Sequence, residues 1–390
     1  MSKAFLRKTR ETRVRGGHPW IYASEIERVD DGAENGGIID VYSCKNTFLG
    51  KGFFNANSQI TIRILTTLDE EIDEDFFRRR IQDAWNYRKL LCDPMSCRLI
   101  YSESDFLPGL IVDKFADILV MQALSLGIDM RKQMLARLLA EITGAKGVYE
   151  RSDVPVRRHE GLEQTKGLLW GEVPDAVLMT ENGIVYSVDV KNGQKTGFFL
   201  DQKQNRAAIA PLCPGAKVLD CFCHNGSFAL NAAHSGARSV LGVDISEDAL
   251  AVARENARRN HLEDIASFEA HNCFDLLREL TEQGETYDLV ILDPPAFTKS
   301  RAALESALRG YKEINLRGLK LTRPGGFLVT CSCSQHVSPE QFQDVINQAA
   351  RDSKKHVRLV EYRTQAYDHP ILPAASETKY LKCMILQVMN

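Results

Sequence analysis

The segment from Val218 to Asp244 constrains this chain most. Val218-Leu-Asp-Cys reads as a strand, Phe222-Cys-His-Asn-Gly as a turn, the next residues as a helix, and Ser239-Val-Leu-Gly-Val-Asp as a second strand ending in a carboxylate. That order is one half of a nucleotide-binding α/β unit. Asp244, with Ile245 beside it, stands where a carboxylate would accept from both hydroxyls of a ribose. The plainer reading of Asp244 is a helix N-cap, but Ser246 serves that role better. The turn holds one glycine, Gly226, so it is not the dinucleotide fingerprint G-x-G-x-x-G. The first strand ends in an acid, Asp220, which would repel a pyrophosphate. A cofactor with an adenosine and a cationic or zwitterionic tail fits better, and S-adenosylmethionine (SAM) is the common one.

Downstream, strands and helices alternate regularly. A helix spans Glu247 to Asn260, a strand covers Ala266-Ser-Phe-Glu-Ala, and Asn272-Cys-Phe-Asp opens a helix to Gln283. A buried strand, Tyr287-Asp-Leu-Val-Ile-Leu-Asp, is followed by a helix from Leu304 to Leu321. Gly326-Phe-Leu-Val-Thr-Cys-Ser-Cys-Ser is another buried strand, and a helix over 339–350 and two last strands complete the unit. This alternation predicts an α/β class with a Rossmann-like, mainly parallel, doubly wound sheet. Ligands lie at the carboxyl ends of such strands. Those ends are Asp220 to Gly226, Asp244, Asn272 with Cys273, Asp293 to Phe297, and Cys331 to Ser334. Asn272 and Cys273 are placed to meet an adenine.

The chain before this unit is long enough for further domains. Residues 1–72 read as a small β-rich domain: Ser58-Gln-Ile-Thr-Ile-Arg-Ile-Leu alternates with Ile60, Ile62 and Ile64 on one face, and glycines break the strands. Residues 73–180 follow an acidic break and read as a central α+β domain. Residues 181–390 hold the cofactor unit. The net charge of −3 does not announce nucleic acid, but the first fifteen residues carry six Lys and Arg, among them Arg13 and Arg15, against one acid. Gly17-His-Pro-Trp-Ile-Tyr sets His18 and Trp20 beside them, a pairing of cations and aromatics that suits unpaired bases. The alternatives are a solvated basic terminus and a core tryptophan. No apolar run approaches the roughly 20 residues that span a membrane, and the N-terminus has no apolar signal-peptide core. The two C-x-C pairs do not match structural zinc spacing, so no metal is expected. Reduced thiols in a cytoplasmic protein are the expectation.

Two stretches carry chemistry. In Asp293-Pro-Pro-Ala-Phe, Pro294 and Pro295 fix an extended turn after a buried strand. The acid and the free carbonyls can hold a planar base by its edge, with Phe297 close by. In Thr330-Cys-Ser-Cys-Ser, a cysteine at a strand end is placed as a nucleophile. Carbon 5 of a pyrimidine takes a methyl group only after a thiolate adds at carbon 6, which is covalent catalysis. The plainer reading makes both cysteines small strand residues.

These residues resemble the RlmI-type SAM-dependent methyltransferases, which modify carbon 5 of a cytosine in large-subunit rRNA. The resemblance covers the whole chain. It rests on Gly17-His-Pro-Trp-Ile-Tyr in a PUA-like RNA-binding domain, Asp105-Phe-Leu-Pro-Gly-Leu-Ile-Val-Asp in the central domain, and Gln194-Lys-Thr-Gly-Phe-Phe-Leu-Asp-Gln before the cofactor turn. Asp220-Cys-Phe-Cys-His-Asn-Gly-Ser-Phe, Asp293-Pro-Pro-Ala-Phe and Ser332-Cys-Ser complete it. The resemblance implies that Cys333 is the nucleophile, that Asp293 orients the base, and that Thr196, Phe198, Asp201 and Gln202 lie over the methionine part of SAM. Related cytosine methyltransferases often carry a second cysteine where this chain has Pro295, so release of the enzyme would fall to Asp293 or water.

The sequence thus points to a cytoplasmic rRNA cytosine-5 methyltransferase with RNA as partner, no membrane, and a homodimer as one form of assembly. The cofactor set is Thr196, Phe198, Asp201, Gln202, Asp220, Phe222, Gly226, Asp244, Ile245, Asn272, Cys273 and Asp293. One alternative is an RNA N-methyltransferase acting on an exocyclic amine, since an acid, two prolines and an aromatic also serve that chemistry. Another is a non-catalytic RNA-binding assembly factor.

Overall fold

The structure, a computed structural model, describes residues 2–298 and 300–390. The chain forms two compact units. The first comprises residues 1–179, 188–201 and 367–378; the second comprises residues 180–187, 202–366 and 379–390.

Two sheets lie in the first unit. β1 (Lys3–Leu6), β2 (Trp20–Ile21), β3 (Ile26–Val29), β4 (Ile38–Tyr42), β5 (Phe48–Phe54) and β6 (Ile62–Thr66) pair in the order β2-β6-β5-β4-β1-β3. A five-residue helix, α1 (Glu11–Arg15), interrupts them. Strand β6 starts four residues later than the isoleucine alternation suggests, because the chain turns over Asn55–Ser58, where the Ser58 amide donates to the Asn55 carbonyl, and bends over 58–60 before Thr61 accepts from the Asn55 amide. Gly52 lets β5 lie against β6 here: a Cβ would come within 2.2 Å of the Arg63 carbonyl oxygen. The second sheet runs β11-β10-β9-β8-β7, from β7 (Ser96–Tyr101), β8 (Leu110–Phe115), β9 (Ile118–Ala123), β10 (Gly147–Ser152) and β11 (Thr165–Gly171). Helices α2 (Glu74–Leu91) and α4 (Lys132–Thr143) bury Phe76, Phe77, Ile81, Leu135 and Leu139 against it, with the short α3 (Leu126–Asp129) between. Asp73 caps α2, and Gly144, in the left-handed region, closes α4.

The second unit is a seven-stranded sheet in the order β16-β15-β14-β17-β18-β20-β19. Its strands are β14 (Lys217–Cys221), β15 (Ser239–Asp244), β16 (Ala266–Ala270), β17 (Tyr287–Leu292), β18 (Thr322–Ser332), β19 (Val357–Arg363) and β20 (Lys382–Val388). The first five pair in parallel, and β20 and β19 pair antiparallel at one edge. The helices are α5 (Lys203–Ala208), α6 (Ser227–His234), α7 (Glu247–Arg259), α8 (Cys273–Gln283), α9 (Leu304–Leu321) and α10 (Pro339–Ser353). The central strands are apolar on both faces because helices cover both, as parallel sheets require. Strand order reverses about β14, so the loops after β14, β15 and β17 part there and open a crevice.

A hairpin of β12 (Val177–Glu181) and β13 (Ile184–Val188) precedes this sheet. Its turn half belongs to the second unit. The side chains of α7 hold it by imitating a strand: Asn256 Oδ1 accepts from the Ser187 amide at 2.9 Å, and Asn260 both accepts from and donates to Val185. Glu181 and Arg206 add a fully buried two-bonded ion pair, at 2.6 and 2.9 Å. Removing one partner would strand the other charge away from water. Arg206→Met is therefore expected to cost about 3–5 kcal/mol in denaturant unfolding. The double change with Glu181→Leu should recover much of that loss, and equal losses in both variants would contradict the assignment.

Candidate active site

The carboxyl ends of β14, β15, β17 and β18 bring the chemistry of the second unit together. Asp220 is fully buried on β14, and its Oδ2 accepts from the Ala229 amide in α6 at 2.8 Å. Among the described residues, its Oδ1 has no hydrogen-bond partner. Burial, and then the nearby Asp293 carboxylate, push the Asp220 carboxyl well above the usual carboxylate range.

The turn after β14 is strained. Phe222 (φ +65°) and His224 (φ +50°) occupy the left-handed region, where non-glycine residues are uncommon, and Gly226 follows at +78°. Hydrogen bonds hold the two strained residues. The Phe222 amide donates to Cys273 Sγ at 3.3 Å, and the His224 amide donates to Asp244 Oδ2 at 2.9 Å. Gly226 also has to be small, since a Cβ would stand 2.9 Å from the Phe268 ring. Strain of this kind concentrates at functional sites, where the surroundings over-determine it.

Asp244 is thus fixed on both oxygens, because Oδ1 accepts from the Ser246 amide at 3.0 Å. Ser246 is the N-cap of α7, accepting from Ala249. Ile245 is 74% exposed next to it, an apolar surface beside an oriented carboxylate. Asn272 caps α8 through the Phe274 amide, and the buried Cys273 donates weakly to the Val243 carbonyl. Cys273 thereby ties β15, the turn and α8 together.

On the other side of the crevice, Gln202 Nε2 donates to Asp293 Oδ1 at 2.8 Å and Gln202 Oε1 accepts from Asn205. The Phe297 ring lies 4.6 Å from that of Tyr311 and also meets Phe222 and Phe274, so an aromatic chain joins the two crevice walls. The two cysteines after Thr330 differ. Cys331 is fully buried, pairs in register with Cys383, and has its thiol pushed well up by a hydrogen bond to that cysteine and by burial. Cys333 is half-buried, with Sγ 3.9 Å from the Pro294 carbonyl oxygen.

Thr196, Phe198 and Asp201 belong to the first unit, all of them buried there. Thr196 Oγ1 donates to Asp113 Oδ2 at 2.6 Å, and Arg98 grips the same carboxylate with two bonds of 2.8 Å. That contact joins the Gln194-to-Gln202 segment to the Asp105-to-Asp113 segment. In the same unit, Trp20 Nε1 donates to Glu103 at 2.8 Å. His18 is buried, accepts from the Trp20 amide, and contacts Arg13; burial lowers its pKa. Arg13 lies over the Tyr22 ring and 3.4 Å from Glu25, and Arg15 lies 3.8 Å from Glu11. Lys382, whose ammonium donates to the carbonyl of Ser334 at 2.7 Å next to Cys333, is marked by no motif. In the sequence it shows only as a lysine heading the otherwise apolar run Lys382-Cys-Met-Ile-Leu.

Residues 109–386 match the family described as S-adenosylmethionine-dependent methyltransferase, and residues 5–67 match a PUA-like domain. Ribosomal RNA large subunit methyltransferase I of Tolumonas auensis is 42% identical over 99% of both chains. The protein of that name from Shewanella denitrificans is 43% identical over 98% of both. Among solved structures, a chain from Streptococcus mutans described as a SAM-dependent methyltransferase superposes with a TM-score of 0.83 at 21% identity over the whole of both chains. A methyltransferase in complex with SAH reaches 0.85 at 20% identity over the same extent. Those two likenesses concern the fold.

Fold and strand ends together define a SAM-dependent methyltransferase with an N-terminal PUA-like domain. More narrowly, the chain belongs to the ribosomal RNA large subunit methyltransferase I family. The crevice suits the cofactor: the unpartnered buried oxygen of Asp220 can take a cationic group, and the oriented Asp244 beside exposed Ile245 can take an adenosine.

Asp220 links this fit to pH. Folding raises its pKa, so its contribution to stability is full in acid and is lost as the pH rises through the folded-state value. Asp220→Asn should be at least as stable as the wild type at about pH 7, with the difference closing below about pH 4. By titration calorimetry the same variant should bind SAM at least ~10-fold more weakly. Unchanged affinity would contradict the fit.

Proposed function

We propose that the protein methylates carbon 5 of a cytosine in the RNA of the large ribosomal subunit, through a covalent adduct on Cys333. The observation that carries this reading is the contrast between the two strand-end cysteines. Cys331 is sealed in the sheet against Cys383, whereas Cys333 is half-buried beside the carbonyl of Pro294. The curated relatives are named for large-subunit ribosomal RNA, which supports the choice of substrate.

Bound SAM supplies a methyl carbon made electrophilic by a sulfonium. Asp220, Phe222, Gly226, Asp244, Ile245, Asn272 and Cys273 form its binding surface in the second unit. Asp293, steadied by Gln202, and the carbonyls of the Pro294-Pro295 turn hold the edge of the cytosine near Phe297. The Cys333 thiolate forms a bond to carbon 6, and the double-bond pair moves into the ring, leaving carbon 5 nucleophilic. After methyl transfer, loss of the carbon-5 proton to Asp293 or water returns that electron pair to the ring and expels the thiolate. Arg13, Arg15, His18 and Trp20 contribute to RNA binding in this reading. The divisions near residues 72 and 180, and a cytoplasmic location for the ten free thiols, belong to the same proposal.

RNA carrying 5-fluorocytosine tests the chemistry, because a fluorinated carbon 5 has no proton to lose. With SAM, the wild type should form a denaturation-resistant protein–RNA adduct, mapped by mass spectrometry to Cys333. Cys333→Ser should form none and should lose ~10²-fold or more in turnover. Near-normal turnover by Cys333→Ser would instead favour methylation of an exocyclic amine.

A further inference from the structure

Strand β20 begins with a buried cation. Lys382 is 3% exposed and pairs in register with Ser332 of β18. Its ammonium donates to the carbonyls of Ser334 at 2.7 Å and Tyr380 at 2.8 Å. Both acceptors are neutral, and among the described residues Lys382 makes no ion pair. Taking an ammonium out of water without an anion is costly. A methionine or leucine would suit the run Cys383-Met-Ile-Leu better. The charge therefore needs a reason.

The reason stands one residue away. Ser334, whose carbonyl the ammonium holds at 2.7 Å, directly follows Cys333, and Ser332 on the other side of Cys333 pairs in register with Lys382. We infer that Lys382 is a positioning residue for Cys333: its ammonium fixes the end of β18 and favours the thiolate of Cys333 over the thiol. This inference rests on Cys333 being the nucleophile.

The surrounding groups have definable effects. Asp293, at the end of β17, opposes any anion nearby, and its charge is felt at Cys331. Tyr311 of α9 donates to or accepts from Ser334 at 2.9 Å and is kept neutral by burial. Cys331 is also kept protonated. Burial lowers the Lys382 pKa to about 8, and Cys333 acts against that lowering. By reciprocity, the interaction that favours the ammonium also favours the thiolate. Lys382 is thus a cation at neutral pH despite its burial.

The test follows alkylation of Cys333 by iodoacetamide against pH in the full-length protein, read peptide by peptide by mass spectrometry. In Lys382→Met the midpoint should rise by about one pH unit, with the rate near pH 7 falling about tenfold. Lys382→Arg should restore most of the wild-type profile. An unchanged midpoint in Lys382→Met overturns the inference, and so does a raised midpoint in both variants, which would indicate lost packing rather than lost charge. If Lys382→Met does not fold, acetylation of Lys382 against pH in Cys333→Ser gives the answer: a lower midpoint than wild type supports the coupling, and an identical one overturns it. Turnover by Cys333→Ser would sink the covalent route itself, a separate result from unchanged midpoints alongside an inactive Cys333→Ser.

Discussion

One carboxyl group without access to water organises the second unit. Asp220 ends the central strand β14 and bonds the amide of Ala229 in the first turns of α6. That bond fixes where the helix begins relative to the strand, and hence the shape of the strained turn between them. Its second oxygen is left without a partner. A buried unsatisfied acid is expensive for the fold. An oxygen left open in this way can take a cation, which would offset that cost.

The strand ends divide the chemistry. β14 and β15, with the cap of α8, present fixed acceptors and an exposed isoleucine to one side. β17, β18 and β20 present a carboxylate held by Gln202, a proline-fixed carbonyl, a half-buried thiol and a buried ammonium to the other. Phe222, Phe274, Phe297 and Tyr311 form a connected chain of rings from one wall to the other. This packing sets the spacing of the two walls with side chains that carry no charge to compete with the reacting groups.

Much of this was legible in the sequence because local rules decide it. The strands at Ser239–Asp244 and Ala266–Ala270 and the helix at Leu304–Leu321 form over the residues their patterns predict. The acids at the ends of β14, β15 and β17 (Asp220, Asp244 and Asp293) could be named in advance because a strand end is a local event. Pairings between distant segments were not legible. Nothing local shows that Gln202 reaches Asp293, that Thr196 reaches Asp113, or that Asn256 and Asn260 substitute for a strand beside β13. His18 and Trp20 illustrate the limit from the other side: their place beside a basic run suggested bases, and the structure also gives each a partner within the protein. Lys382 escaped because its role comes from register, which sets it opposite Ser332 and within reach of the Ser334 carbonyl, 48 residues away.

If Cys333 and Asp293 act as proposed, this site puts a methyl group on carbon 5 of a cytosine in large-subunit ribosomal RNA. Mass spectrometry of nucleosides from that RNA, prepared from cells with and without the gene and mapped by fragment, tests it most directly. One 5-methylcytosine should disappear with the gene and return with the wild-type protein but not with Cys333→Ser. A missing mark on an exocyclic amine, or an unchanged set of methylated nucleosides, would contradict it.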